Sequence, residues 1–289
     1  MAELIQSSIK LNRKRVQEAS HEEPPIILFG GREMQVATIL PTAYLELTEN
    51  NPYHMALAHL VGRDRVYTEF FTRMSNEGKF VMLDNGVIEA GVPMNIKDIV
   101  TKSKLIGASE VILPDTLDDA EATLNAACEA IPYARKYYAG RLMGVPQGKT
   151  LDDWVDCAKA MLELDVDTIG IPKRLVSIGG RDARYDVLGR LGWLLRGREV
   201  HLLGCWETPI ECSLIEKASK AKQIVPVRGV DSCIPYVYAR EDMYISQGPR
   251  PSGAVDFSAK DAVMGKLLHN IEMWEAACTL DNKGMYQIC

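Results

Sequence analysis

Short apolar runs alternate with longer segments of helical spacing along most of this chain. The predicted strands span residues 26–29, 36–40, 79–83, 110–113, 140–145, 167–171, 200–203 and 223–227. The predicted helices span residues 96–106, 117–131, 151–164, 185–195 and 209–221, and a closing helix spans residues 258–277. Short strands that alternate with helices in this way are typical of parallel βα units.

This alternation predicts an α/β protein, and a count of eight strands favours a TIM-like (β/α)8 barrel. An open, doubly wound sheet is the alternative. Residues 1–23 are interpreted as a flexible or marginally helical arm, and residues 24–289 as a single barrel domain. Residues 239–256 contain Gly248-Pro249-Arg250-Pro251 and form a long irregular segment, which in a compact domain is more often functional than idle.

Polar residues follow the ends of several predicted strands. Asp84, Asp115, Gln147 and Asp231 each come directly after or close behind an apolar run. In a βα barrel these positions meet at one mouth, where the reactive groups lie. Any one of these aspartates alone is explained by a turn or a helix cap. Three carboxylates and an amide at the same mouth favour an active site with acid or base chemistry.

The run Arg228-Gly229-Val230-Asp231, followed by Pro235 and by Ala239-Arg240, resembles the nucleophile motif of the tRNA-guanine transglycosylases and their DNA-modifying relatives. Further segments similar to motifs of this family are Asp84-Asn85-Gly86, Pro114-Asp115, Gly144-Val145-Pro146-Gln147-Gly148, Ile169-Gly170-Ile171 and Leu203-Gly204 with Thr208-Pro209. The resemblance extends from about residue 79 to residue 240. These enzymes are (β/α)8 barrels that exchange guanine for a 7-deazaguanine.

The resemblance implies a role for each matching residue. Asp231 is the implied nucleophile on the sugar, and Asp84 the implied acid and base. The implied base-binding residues are Asp115 and Gln147 at the edge of the base, Gly170 and Ile171 through their backbone, and Ile88 and Leu203 over its faces. The implied partners are a nucleic acid and a free 7-deazaguanine of the preQ0 type, with no cofactor.

The chain departs from the tRNA enzymes in two respects. Their zinc cluster of closely spaced cysteines and a histidine has no counterpart here, because the seven cysteines lie far apart, and no metal is predicted. The short chain without this module is similar to the phage-type DNA-guanine transglycosylases, which implies guanine in flipped or single-stranded DNA as the substrate. An RNA substrate and a non-catalytic nucleic-acid-binding homologue are the alternatives. A barrel enzyme that binds a phosphorylated metabolite at Ser177-Ile178-Gly179-Gly180 is another.

Charge is unevenly distributed along the chain. The net charge of −6 argues against a uniformly basic nucleic-acid-binding surface. Residues 173–198 nevertheless carry seven basic side chains (Lys173, Arg174, Arg181, Arg184, Arg190, Arg196 and Arg198) and two acids (Asp182 and Asp186). A solvated helix face explains such a run, and so does a strip that follows phosphates. The predicted nucleic-acid contacts are Arg174, Arg181, Arg184, Tyr238 and Arg240.

The remaining composition is that of an ordinary globular protein, with 47% hydrophobic and 25% charged residues. No apolar run reaches the roughly 18 residues that span a bilayer, and the charged N-terminus has no signal-peptide core. The scattered cysteines are interpreted as reduced thiols. We therefore expect a cytoplasmic protein, in the host cytoplasm if it is viral, with no membrane partner and with its oligomeric state open.

Overall fold

The described part of the chain forms eight parallel strands that alternate with helices. The computed structural model describes residues 33–195, 197–205 and 208–279. The strands are β1 (Gln35–Thr38), β2 (Tyr53–Ala56), β3 (Phe80–Leu83), β4 (Glu110–Ile112), β5 (Arg141–Gly144), β6 (Thr168–Pro172), β7 (Glu199–Leu203) and β8 (Gly229–Ser232). Their hydrogen-bonded order is β1-β8-β7-β6-β5-β4-β3-β2. Because β1 and β2, the ends of this order, also lie side by side, the sheet is a nearly closed barrel. The predicted TIM-like (β/α)8 fold is confirmed.

Helices follow the strands on the outside of the barrel. They are α1 (Arg65–Asn76), α2 (Val87–Ala90), α3 (Ile96–Ile106), α4 (Ala120–Tyr137), α5 (Leu151–Leu162), α6 (Leu175–Gly179), α7 (Ala183–Leu191), α8 (Ile210–Lys220), α9 (Ile234–Arg240) and α10 (Met264–Thr279). A 3-10 helix, Thr42–Thr48, follows β1. Side-chain caps set where some helices begin: the Asp119 side chain accepts from Ala122 N at the start of α4, and Thr150 and Asp153 form a capping box at the start of α5.

Apolar side chains fill both faces of the barrel wall. Outward-facing strand residues such as Val81, Leu142 and Val200 belong to the main core between barrel and helices. Inward-facing residues form a second cluster, whose members are Ala37, Tyr53, Met55, Met82, Ile112, Met143 and Val145. The alternation follows from the two-residue period of a strand. The barrel interior beneath its mouth is therefore a packed layer of side chains.

Two strands differ from the prediction. The run 53–56 was not predicted as a strand, because all four residues of β2 are buried and leave no alternating pattern, and His54 interrupts the apolar run. The last strand is Gly229–Ser232 and not 223–227, so Asp231 lies within β8 and not on a loop behind it. The apolar residues before Arg228 misled the assignment, whereas the register Ala37↔Asp231 places the motif itself in the sheet.

The closing helix begins later than predicted, and two predicted N-terminal segments lie outside the described residues. The closing helix begins at Met264, later than the predicted residue 258, because the Asp256 carboxylate accepts from Ser258 N and Ser258 Oγ and forms a turn there. The predicted arm at 1–23 and strand at 26–29 lie outside the described residues. Among the helices of the described ranges, none combines the length and the apolar character that crossing a bilayer demands.

Candidate active site

A cavity of about 440 Å³ opens at the mouth formed by the carboxyl ends of the strands. Three aspartates from different strand ends line it together with one glutamine: Asp84 after β3, Asp115 after β4, Gln147 after β5 and Asp231 in β8. Its apolar walls come from Ile39, Met55, Leu57, Ile112, Val145 and Leu203. The structure thus brings together the four residues that were predicted to meet at the mouth.

Asp231 is held from one side. Its Oδ1 accepts a hydrogen bond from Gly204 N (3.1 Å) and contacts His201 Nε2 (3.0 Å). Only 7% of Asp231 is exposed, and it lines the cavity. Gly204 has φ of +70°, a backbone conformation that favours glycine, and it presents its N–H to Asp231 in this conformation. One carboxylate oxygen is therefore fixed by two nitrogens.

Asp115 lies in an amide clamp. Its Oδ1 accepts from Asn85 Nδ2 (2.6 Å), and its Oδ2 accepts from Gln147 Nε2 (2.5 Å). Asn85 Nδ2 also donates to Leu113 O (2.8 Å), which fixes the clamp to the end of β4. Burial raises the pKa of Asp115 to about 6, although the two amide hydrogen bonds oppose this shift. Asp115 thus changes charge close to neutral pH.

Asp84 changes charge at a still higher pH. Burial is the main cause that raises its pKa to about 7, and the nearby carboxylates of Glu89, Asp231 and Asp115 add to the shift. A hydrogen bond from Gly86 N to Asp84 Oδ2 (3.1 Å) works in the opposite direction. A carboxyl group with a pKa near neutrality is suited both to give and to take a proton.

Basic side chains form part of the rim of the cavity. Lys173, Arg174 and Arg250 all line it, and we call these three residues the basic rim. Arg174 donates to Asp118 Oδ2 (2.7 Å). Among the described residues, the buried Nε atoms of Arg174 and Arg250 have no hydrogen-bond partner. The lining of the cavity therefore combines carboxylates with basic side chains.

The predicted base-binding residues divide into two groups. Ile88 and Leu203 both line the cavity, with Ile88 at its exposed edge. Gly170 and Ile171 are not among the residues that line it, and their implied backbone contact with a base stays a prediction. Gly170 lies within β6, where a Cβ would meet Leu203, Met143 and Val145 side chains at 2.8–3.1 Å; the side chain of Ile171 is buried in the core outside the barrel.

Three of the residues predicted to contact nucleic acid use their side chains inside the protein. Tyr238 is fully buried in the core, and its hydroxyl donates to Gly248 O (2.9 Å). Arg240 donates to Ala254 O (2.7 Å) and Ser252 O (3.1 Å), so it holds the irregular segment between α9 and α10 in place. Arg184 is also fully buried. Of the other two, Arg174 lies on the basic rim, and Arg181 is exposed between α6 and α7 without lining the cavity.

Arg184 supports the site from within the protein. Its guanidinium forms a two-pronged ion pair with Glu211 and donates to Gly204 O (2.7 Å). Gly204 is the residue whose N–H binds Asp231. A charged side chain in the predicted basic strip therefore positions the backbone beside the candidate nucleophile.

We expect Arg184→Met to lower the free energy of unfolding by about 3–5 kcal/mol, because it leaves Glu211 without its buried partner. Urea unfolding followed by circular dichroism measures this change. The double variant Arg184→Met/Glu211→Met is the control, and it should recover most of the loss since both charges are removed together. A fully stable single variant would contradict the structural role.

Several residues of the site were given no individual role at the level of sequence. They are Asn85, Tyr53, His201, Arg228, Lys173 and Arg250. For His201 a signal exists, since the two-residue period of β7 places Glu199, His201 and Leu203 on one face, and a histidine inside a barrel needs a polar partner. Asn85 stood within a recognised motif. Arg250 belongs to the irregular segment 239–256, which was expected to be functional, but the sequence pattern assigned this residue no individual role.

A second hollow of about 670 Å³ lies beside the start of α4 and α5. Its lining includes Asp118, Asp119, Glu121, Asp153 and Asp156. It holds none of the strand-end residues that converge in the first cavity. Within the described ranges, no group of three or more His, Cys, Asp or Glu side chains is arranged to hold a metal ion. The cavity at the barrel mouth is therefore the candidate active site.

No protein-family model matches the chain, and no curated protein matches it. The resemblance to the guanine transglycosylases depends on the short motifs alone.

Proposed function

We propose that this protein is a base-exchange transglycosylase, which replaces guanine in DNA by a 7-deazaguanine through a covalent aspartyl–sugar intermediate. The observation that carries the proposal is the convergence of Asp84, Asp115, Gln147 and Asp231 in one cavity. Its volume of about 440 Å³ lies within the range of small-molecule sites and suits one nucleoside unit. The motif resemblance supports the same chemistry.

The polar end of the cavity suits a guanine edge. Guanine offers N–H donors at N1 and N2 and an acceptor at O6, and these match an ionised Asp115 and the amide of Gln147. Burial raises the pKa of Asp115 to about 6, so it is mainly ionised at and above neutral pH. The aliphatic side chains of Ile112, Val145 and Leu203 provide apolar surface for the faces of the ring.

Asp231 would supply the nucleophile. Cleavage of an N-glycosidic bond passes through a transition state with oxocarbenium character, which a carboxylate stabilises. Asp231 Oδ2 would form a bond to C1′ while the C1′–N bond breaks and its electron pair leaves with guanine. In the second half-reaction, a ring nitrogen of the incoming base attacks C1′, and the C1′–O electron pair returns to Asp231. Two displacements give retention at C1′ and require no other reactant.

Asp84 would balance the protons. The departing guanine anion takes a proton from the Asp84 carboxyl group, and the incoming 7-deazaguanine gives its ring N–H proton back to the Asp84 carboxylate. A pKa of about 7, raised chiefly by burial, allows both transfers near neutral pH. Asp84 thus ends the cycle in the protonation state in which it began.

The basic rim supports a polynucleotide substrate. A free nucleoside carries no charge that Lys173, Arg174 or Arg250 would bind, whereas a nucleotide in a strand carries a phosphate on each side of its sugar. The buried Nε of Arg250 has no hydrogen-bond partner among the described residues, so its capacity to donate is unused. The target nucleotide has to be single-stranded or flipped to reach the cavity, at a free-energy cost of a few kcal/mol.

We expect Arg250→Ala to weaken binding of a single-stranded, guanine-containing oligonucleotide on the order of 10-fold, because one charged hydrogen bond is lost. The slope of log affinity against log salt should become shallower by about 0.7, the effect of one phosphate contact. Fluorescence anisotropy at several salt concentrations measures both. Lys217→Ala is the matched control, since it removes one positive charge from the exposed last turn of α8, at the opposite end of the barrel. Equal effects of the two variants would reduce the role of Arg250 to net charge.

Incubation with a polymer and a free base tests the proposed reaction itself. The protein is mixed with guanine-containing DNA or, separately, with tRNA, and with a 7-deazaguanine such as preQ0. Digested nucleosides are then analysed by mass spectrometry. Incorporation into DNA supports the proposal, and incorporation into tRNA alone would keep the chemistry but replace the substrate. If neither polymer changes with several 7-deazaguanines, base exchange is the wrong reaction.

A further inference from the structure

A chain of buried polar side chains connects Asp231 with the base of the barrel. His201 Nε2 lies 3.0 Å from Asp231 Oδ1, and His201 Nδ1 lies 2.9 Å from the hydroxyl of Tyr53. Arg228 Nε donates to the same hydroxyl at 2.9 Å. The other nitrogens of Arg228 bind Glu110 and Glu199. The residues of this array named here come from β2, β4, β7 and β8, together with Arg228 directly before β8.

The donors and acceptors of this chain determine where each proton lies. A guanidinium only donates, so the Tyr53 oxygen accepts from Arg228 and its own O–H remains to be given to another group. Burial raises the pKa of the Tyr53 hydroxyl above its usual value, so Tyr53 keeps this proton. The acceptor within reach is Nδ1 of His201, which must then be unprotonated.

His201 is consequently left with a single proton, on Nε2. Burial lowers the pKa of His201, against the opposing effect of Asp231, so the ring is neutral with one N–H. The charged or titratable groups around the ring are Asp231, Tyr53, Arg228 and Glu110. With Nδ1 occupied by the Tyr53 hydroxyl, the remaining N–H points at the carboxylate.

We infer that His201 is a positioning residue for Asp231, held in the Nε2–H tautomer by Tyr53 and Arg228 so that it donates permanently to Oδ1. This inference rests on the proposed function. With Oδ1 occupied by His201 and Gly204, the other oxygen, Oδ2, is the one that attacks C1′. The same two donors bind the ester carbonyl of the intermediate and stabilise the carboxylate that leaves in the second step. No proton moves along the chain.

Nitrogen NMR of the free protein tests the arrangement without any substrate. With ¹⁵N-labelled histidine, long-range proton–nitrogen spectra distinguish the two ring nitrogens and their protonation. We expect the His201 ring to show a protonated Nε2 and an unprotonated Nδ1 at neutral and alkaline pH, because burial lowers its pKa. The His201→Gln spectrum assigns the signals. A protonated Nδ1, or a doubly protonated ring at neutral pH, would overturn the inference.

Kinetics of two substitutions test the positioning role. His201→Leu removes the donor and should lower kcat about 10- to 100-fold while changing KM little, because a hydrogen bond to a charged group is lost and no substrate contact is. In His201→Gln the amide Nε2 takes the place of the imidazole Nε2, and it should restore most of kcat. Both variants should keep the inflections of the wild-type pH profile. Loss of an inflection would show that His201 carries a proton.

A matched control separates positioning from general stability. His54 is also a buried histidine of the barrel, with Nε2 at 2.8 Å from Asn51 O, and it faces the rings of Phe70 and Phe71 outside the barrel. His54→Leu should lower the unfolding temperature without changing kcat. An equal loss of kcat in the two leucine variants would assign His201 a structural role only. Absence of base exchange in the wild-type protein would overturn the proposed function and with it the positioning role of His201 in the reaction, while the NMR result would still decide the tautomer.

Discussion

Substitution of Asp231 by asparagine is expected to lower the rate of base exchange by at least about 10³-fold, as loss of a catalytic nucleophile commonly does. The change replaces one oxygen by an NH2 group of the same shape. The remaining carbonyl oxygen still accepts from His201 and Gly204, so the local fold should persist. An amide is a far weaker nucleophile than a carboxylate, and the covalent step should fail. Mass spectrometry of digested nucleosides measures the rate.

Trapping of the covalent intermediate tests directly whether Asp231 is the nucleophile. When guanine leaves and no second base is present, the wild-type protein should remain bound to the sugar as an ester, visible as a protein–DNA adduct under denaturing conditions. Asp231→Asn should form no adduct, and Asp231→Ala excludes reversion by deamidation. Asp156→Asn is the matched control, because this carboxylate is exposed and pairs with Lys159 on α5. An active Asp231→Asn or Asp231→Ala protein would falsify the assignment of the nucleophile.

Substitution of Asp84 by asparagine is expected to stabilise the protein at alkaline pH while it abolishes turnover. Burial is the main reason that the pKa of Asp84 rises from 3.8 to about 7 in the folded state. Between these values the folded protein holds a proton that the unfolded chain has lost, so stability falls as pH rises from about 4 to 7. At 1.36 kcal/mol for each pKa unit the full effect is about 4 kcal/mol, an upper value because Asp84 is in contact with solvent in the cavity.

The asparagine variant removes this dependence on pH. Its free energy of unfolding should exceed that of the wild type by about 2–4 kcal/mol near pH 8 and differ little near pH 4. Urea unfolding at both pH values measures the difference. Asp156→Asn should give no such gain, because Lys159 lowers the pKa of Asp156 below its usual value. If the Asp84→Asn variant and the wild type had the same free energy of unfolding at both pH values, the pKa of Asp84 would not be raised in the folded protein.

The sequence was sufficient for the fold and for the acidic part of the site. The alternation of apolar runs and helical segments is a local property, and it identified most of the strands, though β2 was missed and β8 was misplaced. Asp84, Asp115, Gln147 and Asp231 were found because the carboxyl ends of parallel strands must meet at one mouth. Residues at the carboxyl ends of different strands can therefore be predicted to lie close together in the barrel.

The sequence predicted less well which way a side chain points and how deeply it is buried. The sequence suggested surface positions for three side chains: Arg184 in the basic run, and Tyr238 and Arg240 after the nucleophile motif. In the structure each of them donates a hydrogen bond to a backbone carbonyl inside the protein. A count of charges does not tell whether a guanidinium faces solvent or a buried carboxylate. The contacts of His201 and Tyr53 join residues nearly 150 positions apart (|i−j| = 148), which no local pattern encodes.

The filled interior of the barrel also has a consequence for the order of events. Met55, Met82 and Met143 belong to the packed layer beneath the mouth, so in the described structure nothing the size of a base passes through from below. In the proposed exchange, the leaving and the incoming base would therefore pass through the same mouth and bind in the same cavity, so the first would have to dissociate before the second binds. The released base would then compete with the incoming base for the same site. The closed interior would thus impose a ping-pong order on the proposed reaction, in which the sugar stays covalently bound to Asp231 after one base has left and before the next has bound.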